Sequence, residues 1–410
     1  MDERETVEVG RLGGLGAREV AWGVREVHLG ISAVVKRHVD RQTGGLSAPV
    51  TATERALTTG IYAVTGFALQ HGGHLLGHGL ARRRRGHPSV HDGPVGADLL
   101  AFYNGLHGHL LEEQDSPLAL LMTLRKDGRA VVPDRESLAA AYGPEVSGTL
   151  AVLVHGFVES ERVWSRERPG AMPGARGSTY AEVLRDGLGT TPVFVRYNSG
   201  RGIRNSGAQL AGLLTALVGQ WPVPVTRVVV IGHSMGGLVI DVALDEMRDD
   251  DGVLRGWAGM VTDFVALGTP WAGHEAERVV ARVTPRLREG VAGARWTGRV
   301  LQTRGPGVKD LGAGATWLRD GSRPDAGACG PRRVSVVSRL VGDAFPARPA
   351  NGLGDGVVSI ASASADPLCD ERVLLRGINH LALANHPDVE VVLLRVLSAP
   401  GSTRVEEPRP

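Results

Sequence analysis

Val230-Ile231-Gly232-His233-Ser234-Met235-Gly236-Gly237-Leu238-Val239 decides how this chain folds. Arg227-Val228-Val229 precedes it, so an apolar run of strand character leads straight into Gly-x-Ser-x-Gly, and Gly237 to Met247 then reads as helix. A strand that becomes a helix within so few residues brings backbone against backbone, and only glycine fits at 232 and 236. The turn thrusts the Ser234 hydroxyl out above the sheet at the helix N-terminus, where the dipole favours negative charge. A bare Gly-x-Ser-x-Gly occurs by chance; the strand before it and the helix after it give it meaning here.

Working outward, Leu150–Val154, Pro192–Arg196 and Phe264–Leu267 are short apolar runs of the kind that form parallel strands buried on both faces. Helical stretches separate them, notably Ser206 to Val218 and Gly237 to Met247. The alternation predicts an α/β fold, a mostly parallel central sheet with helices on both faces. Leu121-Met122-Thr123-Leu124 and Arg129-Ala130-Val131-Val132, joined across Asp127-Gly128, read as an antiparallel hairpin that opens this unit. Arg333–Ser338 and Arg372–Leu375 supply the last two strands.

A serine hydroxyl is a weak nucleophile until a histidine accepts its proton, and an acid must orient that histidine. In this architecture both partners lie downstream, the acid after a late strand and the histidine after the last one. Asp355, between Gly354 and Gly356, is the candidate acid, and His380, in Gly377-Ile378-Asn379-His380-Leu381 at the start of the final helix, is the candidate base. Asp343, Asp366 and Asp370 compete for the acid role, while His386 reads as a surface residue and His233 as packed beneath the elbow. The oxyanion of an acyl-transfer intermediate needs two backbone donors. Met235, next to the nucleophile, offers one and Phe157, in the loop behind Val152-Leu153-Val154, the other. His155 is expected to brace that loop by hydrogen bonds, and Gly156 to let its backbone approach the substrate.

Composition narrows the field. The chain has 410 residues, 42% hydrophobic and 22% charged, which is globular and excludes a disordered or collagen-like protein. Its 46 basic residues nearly cancel its 44 acidic ones, which gives no reason to expect a nucleic-acid partner. The acidic start, Met1 to Glu5, has no apolar stretch behind it, so a cytoplasmic protein is expected, and Ala56 to Leu80 is too interrupted to span a membrane. Cys329 and Cys369 are too few for a disulfide framework or a four-cysteine zinc site; they can pair with each other or stay as thiols. His71, His74 and His78 sit among glycines without a neighbouring carboxylate, so no metal is assigned to them.

Three N-terminal amphipathic helices are read from Val20–Val34, Leu57–Ala68 and Leu99–Leu110, the last with an apolar stripe of Leu99, Phe102, Tyr103, Leu106 and Leu110. Arg82 to Arg85 lie in a loop between the second and third. Three uses are open for this region: packing on the α/β unit, peripheral docking at a membrane or lipid surface through the arginines, or self-association.

His155-Gly156-Phe157, Gly232-His233-Ser234-Met235-Gly236-Gly237, Leu267-Gly268-Thr269-Pro270 with Gly273, and Gly354-Asp355-Gly356-Val357-Val358 together resemble the α/β-hydrolase superfamily. The resemblance is to its lipase-like branch of bacterial triacylglycerol lipases and glycosylphosphatidylinositol deacylases. It implies a serine hydrolase acting on carboxylic esters of small-molecule or lipid type through an acyl-enzyme; no aspartate cluster here resembles the calcium site some bacterial lipases carry, so no metal and no cofactor are expected. Acyl transfer to another alcohol on the same triad and a non-catalytic binding module are the alternatives. In such lipases the Gly-Thr-Pro segment is commonly followed by histidine, where this chain has Trp271. The expected organisation is a helical extension over 1–115, a hydrolase domain over 116–397 with a cap at about 271–325 covering the site, and a frayed tail over 398–410.

Overall fold

The computed structural model describes residues 2–14, 18, 68, 71–73, 75, 77–78, 89–144, 146–165, 179–273, 305–315, 330–340 and 354–398. Its contacts divide the chain into two units, one of 1–93, 111–118 and 279–304, the other of 94–110, 119–278 and 305–410.

The second unit is built on eight strands: β1 (Thr123–Lys126), β2 (Arg129–Val131), β3 (Thr149–Val154), β4 (Thr191–Arg196), β5 (Arg227–His233), β6 (Val261–Leu267), β7 (Arg332–Arg339) and β8 (Glu371–Arg376). Their order is β2-β1-β4-β3-β5-β6-β7-β8. The hairpin β1/β2 joins antiparallel to β4, and every pairing from β4 through β8 is parallel. This is the mostly parallel α/β sheet that the sequence predicts. Its helices are α1 (Pro94–Glu113), α2 (Arg135–Tyr142), α3 (Tyr180–Leu188), α4 (Ile203–Gln220), α5 (Met235–Asp245), α6 (Pro306–Ala313), α7 (Ile360–Ala363) and α8 (Pro387–Ser398).

Near-continuous apolar strands give a sheet buried on both faces. Leu150, Val152 and Val154 of β3 point to one face with Val228 and Val230 of β5, and there meet Leu210, Leu214 and Leu217 of α4 and Leu238, Val239 and Val242 of α5. Ala151 and Leu153, with Val229 and Ile231, point to the other, against Leu184 of α3 and Val389, Val392, Leu393 and Val396 of α8. Each fully buried side chain of this kind is worth about 1.5–3 kcal/mol. From β3 the chain crosses to β4 on one side, and from β5 to β6 on the other. The carboxyl ends of β3 and β5 therefore flank the point where strand order reverses, the place where such sheets leave an open crevice.

Several sequence expectations need correcting. The helix expected around Leu99–Leu110 forms, but Leu99 and Phe102 are 64% and 55% exposed. Its buried face is instead Ala97, Leu100, Ala101, Asn104, Gly105, Gly108 and Leu111, small residues at most of these positions. Small residues win because the backbone itself packs there: a Cβ on Gly105 would meet Val158 Cγ1 at 2.6 Å, and one on Gly108 would meet Asn198 Oδ1 at 2.0 Å. Strand β1 starts at Thr123, which pairs with Arg196, and leaves Leu121 exposed before it. His380 precedes a short 3-10 turn, Leu381–Ala384, and the final helix begins only at Pro387. Of the expected cap, Trp271–Gly273 and 305–315 are described, and Trp271, Leu311 and Ala315 belong to the apolar cluster on one face of the sheet.

In the first unit residues 3–14 are helical, and a Cβ on Gly10 would lie 2.6 Å from Gly77 Cα, so two backbones meet there. Glu5 accepts the Ser89 hydroxyl and the Val90 N–H. Among the described residues no helix is long and apolar enough to cross a membrane. The helix at Val20–Val34, most of that at Leu57–Ala68, Arg82 to Arg85, His74, Asp343, Cys329 and the tail beyond 398 lie outside the described residues.

Candidate active site

Strand β5 ends at His233 and α5 begins at Met235, which leaves Ser234 alone to make the turn, at φ 51° and ψ −121°. Positive φ is costly for a residue with a Cβ. The flanking residues explain why the strain persists. A Cβ on Gly236 would stand 2.3 Å from Val154 O of β3, and one on Gly232 would meet Gly237 N at 2.5 Å. The Ser234 N–H donates to Leu267 O, at the end of β6, at 2.8 Å, and its carbonyl accepts the Gly237 N–H at 3.1 Å.

Asp355 and His380 meet beside this turn. The ring Nδ1 lies 2.7 Å from Asp355 Oδ2, while Asp355 Oδ1 accepts the N–H groups of Val357 and Val358 at 3.0 and 2.8 Å. The His380 N–H also donates to Asp355 O. With Nδ1–H given to the carboxylate, Nε2 is left with its lone pair. Burial works against charge on Asp355, but its bond to His380, the attraction between them and the two N–H donors hold the carboxyl below its ordinary range. A Cβ on Gly268 would sit 3.0 Å from Asp355 Oδ2 and 3.2 Å from His380 Nδ1. The end of β6 that holds the Ser234 N–H thus also abuts the His–Asp pair. Among the described residues neither Ser234 Oγ nor His380 Nε2 has a hydrogen-bond partner. Such bonds are commonly long in unliganded hydrolases and tighten around the substrate.

The loop after β3 lies against the other side of the serine, with a Cβ on Gly156 only 3.0 Å from Ser234 Cβ. Among the described residues no acceptor meets the N–H of Phe157, or that of Met235, which as first residue of α5 has none within its helix. His155 holds the loop from behind: Nδ1 donates to Gly156 O at 2.9 Å, Nε2 accepts the Tyr197 N–H at 3.3 Å, and the Tyr197 hydroxyl donates to His155 O. The two rings stack at 4.5 Å. One donating and one accepting nitrogen fix His155 as a neutral imidazole, and burial lowers its affinity for a second proton.

His233 is fully buried beneath the elbow, with Nδ1 2.8 Å from Glu159 Oε2 and Nε2 2.9 Å from His380 O. Sequence reading missed Glu159, which is followed by Ser160, Glu161 and Arg162 and so does not stand out locally. Its Oε2 also accepts the Gly156 N–H at 2.7 Å. Burial would push the Glu159 carboxyl up, but His233, by charge and hydrogen bond, together with the Gly156 N–H, outweighs it and holds the pKa down to about 2. Also missed is the buried Glu161–Arg196 pair, which fastens the same loop to the end of β4. The competing acids serve elsewhere. Asp366 binds Arg333 Nε at 2.9 Å, Asp241 binds Arg333 Nη1 at 2.7 Å, and the guanidinium lies over the rings of Phe264 and Trp271. Asp370 accepts the Arg333 N–H, His386 caps the start of α8, and Cys369 is a free thiol.

A sequence family described as "Putative serine esterase (DUF676)" matches residues 147–287. No curated protein matches. Among solved structures, the propeptide form of lipase BlEst2 from Bacillus licheniformis is 16% identical, covering 71% of this chain and 56% of that one, with a TM-score of 0.46. Its mature form is 18% identical over 60% of this chain and 91% of that one, with a TM-score of 0.41. An esterase from Pyrococcus furiosus is 13% identical over 63% and 84%, with a TM-score of 0.38. The chain thus spans just over half the length of the BlEst2 propeptide form. Residues 147–287, which carry Gly156, Phe157, Ser234 and Met235, match the serine esterase family, on a sheet with α/β-hydrolase topology.

Proposed function

We propose that this protein hydrolyses carboxylic esters through an acyl-enzyme on Ser234. The observation that carries the reading is the strained Ser234 turn standing beside a buried His380–Asp355 pair bonded at 2.7 Å. His380 Nε2 takes the Ser234 proton as the oxygen attacks the acyl carbon, and Asp355 holds the ring and offsets the imidazolium charge. The Phe157 and Met235 N–H groups receive the oxyanion, and His380 returns its proton to the leaving alcohol. Water, deprotonated by the same ring, then releases the acid and restores the serine.

Leu381, 56% exposed, follows His380, and Val357, 46% exposed, stands two residues after Asp355, so exposed apolar side chains neighbour both groups in sequence. That favours esters with apolar, lipid-like acyl chains. The test is fluorophosphonate labelling of wild type and Ser234→Ala, read with turnover of p-nitrophenyl butyrate and a long-chain ester. Labelling and turnover that both vanish in the variant support the reading. A folded wild type that neither labels nor hydrolyses either ester refutes it.

A further inference from the structure

His233 and Glu159 are buried ionisable groups to which the reaction above gives no part. Both ring nitrogens of His233 face acceptors. The main-chain oxygen of His380 can only accept, so Nε2 carries a hydrogen. On the other side Nδ1 meets Glu159 Oε2, an oxygen already accepting the Gly156 N–H. The Gly156 N–H must donate to that oxygen, and with Glu159 ionised the 2.8 Å contact requires Nδ1 to carry a hydrogen as well. His155, on the same wall, is the contrast, because its Nε2 receives a main-chain N–H and so stays unprotonated.

The other charged or titratable neighbours of His233 are the His380 ring, 4.8 Å away, and Asp355; Trp164 closes the remaining side edge-on. Asp355 is itself occupied by His380. Glu159 is therefore the direct counter-ion. The pair connects three parts of the site: the Gly156 N–H beside the Phe157 donor, residue 233 beside Ser234, and the carbonyl of His380.

We propose that His233 is held as an imidazolium on the Glu159 carboxylate, and that this pair positions the Phe157 donor and His380 relative to Ser234. The proposal rests on the serine-hydrolase reading. Neither group touches the substrate; they are positioning residues. The sign of the pH effect follows from the bonding. Glu159 overcomes the opposing effect of burial and raises the affinity of His233 for its second proton, so the pair is complete at neutral pH and opens as pH rises past the titration of His233. Once Nδ1 is bare, its lone pair faces the carboxylate and the link to the oxyanion loop is lost.

The test uses the full-length protein. In Glu159→Gln the amide oxygen can take the place of Oε2 and keep the Gly156 N–H, so size and that bond survive while the counter-charge to His233 is lost. Histidine ring N–H signals should number two for His233 in wild type at pH 7 and one in Glu159→Gln. Wild type should show an alkaline fall in kcat/KM that Glu159→Gln lacks. At neutral pH Glu159→Gln should lose up to about tenfold in kcat with KM retained, and Glu159→Ala, which orphans both donors, about 10²–10³-fold. A single His233 ring N–H in wild type, or a pH profile unchanged by Glu159→Gln, overturns the proposal; Glu159→Gln decides it even where Glu159→Ala does not fold. Fluorophosphonate labelling of the same wild-type sample separates the two readings, because an unlabelled serine sinks the hydrolase while the ring N–H count reports the pair directly.

Discussion

Asp355→Asn tests the acid assignment through the geometry of a single side chain. Asp355 Oδ1 takes two main-chain donors, Val357 and Val358, and Oδ2 takes His380 Nδ1. An asparagine must point its one oxygen at the two N–H groups, because turning its NH₂ toward them would set donor against donor. The NH₂ then faces His380 and forces Nδ1 to accept. The ring proton moves to Nε2, where the lone pair that should take the Ser234 proton is needed. Wrong-tautomer substitutions of this kind lower kcat about 10⁴-fold in Ser-His-Asp enzymes, or about 5.5 kcal/mol of barrier. Stability should change far less, by about 1 kcal/mol, because both main-chain bonds are kept. The assay is steady-state hydrolysis of p-nitrophenyl butyrate, with a urea unfolding midpoint for the same preparation. A folded Asp355→Asn within tenfold of wild-type kcat would refute the reasoning and return the acid role to another carboxylate.

Three further outcomes follow from the same contacts. Ser234→Gly should abolish hydrolysis yet raise thermal stability by about 1 kcal/mol, since glycine accepts φ 51° freely; a calorimetric Tm below wild type would contradict strain at this position. Arg333→Met leaves Asp241 and Asp366 buried without their cation and should cost about 3–5 kcal/mol in urea unfolding, whereas a loss under about 1 kcal/mol would show that the carboxylates neutralise without it. Glu159 and Asp355 are both held below their ordinary values, so each contributes stability that is complete above its unfolded value and lost as pH falls through its folded one. For Glu159, falling from an ordinary 4.5 to about 2, this is worth about 3 kcal/mol, and unfolding free energies measured from pH 6 to pH 3 should decline more steeply in wild type than in Glu159→Gln.

The sheet was legible because its strands are buried on both faces and so read as unbroken apolar runs, such as Val228 to Ile231. The elbow was legible because its glycines are dictated by contact at 2.3–2.5 Å and leave a local pattern. What could not be read was which apolar or small residues of α1 turn inward. Leu99 and Phe102 look like a core stripe by hydropathy, yet Gly105 and Gly108 take that place because their lack of a side chain lets backbone meet Val158 and Asn198, far away in sequence. Trp271, placed in the expected cap, packs on Phe264 of the strand just before it and under Arg333 of β7, the second a contact no local pattern announces. Glu159 was invisible for another reason, since a buried carboxylate is recognised only by its partners, and His233 lies 74 residues further along.

Strain at Ser234 and alignment of the proposed catalytic groups have one structural source. The elbow is held from β3 by the contact of Gly236 with Val154 O, and from β6 by the Ser234 N–H bond to Leu267 O. Those strand ends also continue into Gly156–Phe157 and into Gly268, which abut Ser234 and the His380–Asp355 pair respectively. Any relaxation of the serine toward negative φ would have to break the Leu267 bond or drive residue 236 into β3. Either movement would shift the Met235 N–H away from Phe157. Removing the side chain that suffers the strain is different from removing the constraints that impose it. Ser234→Gly should therefore gain stability with the backbone of residues 232–237 unmoved, whereas a substitution that loosens β6 at Gly268 would relieve the strain only by separating the serine from His380.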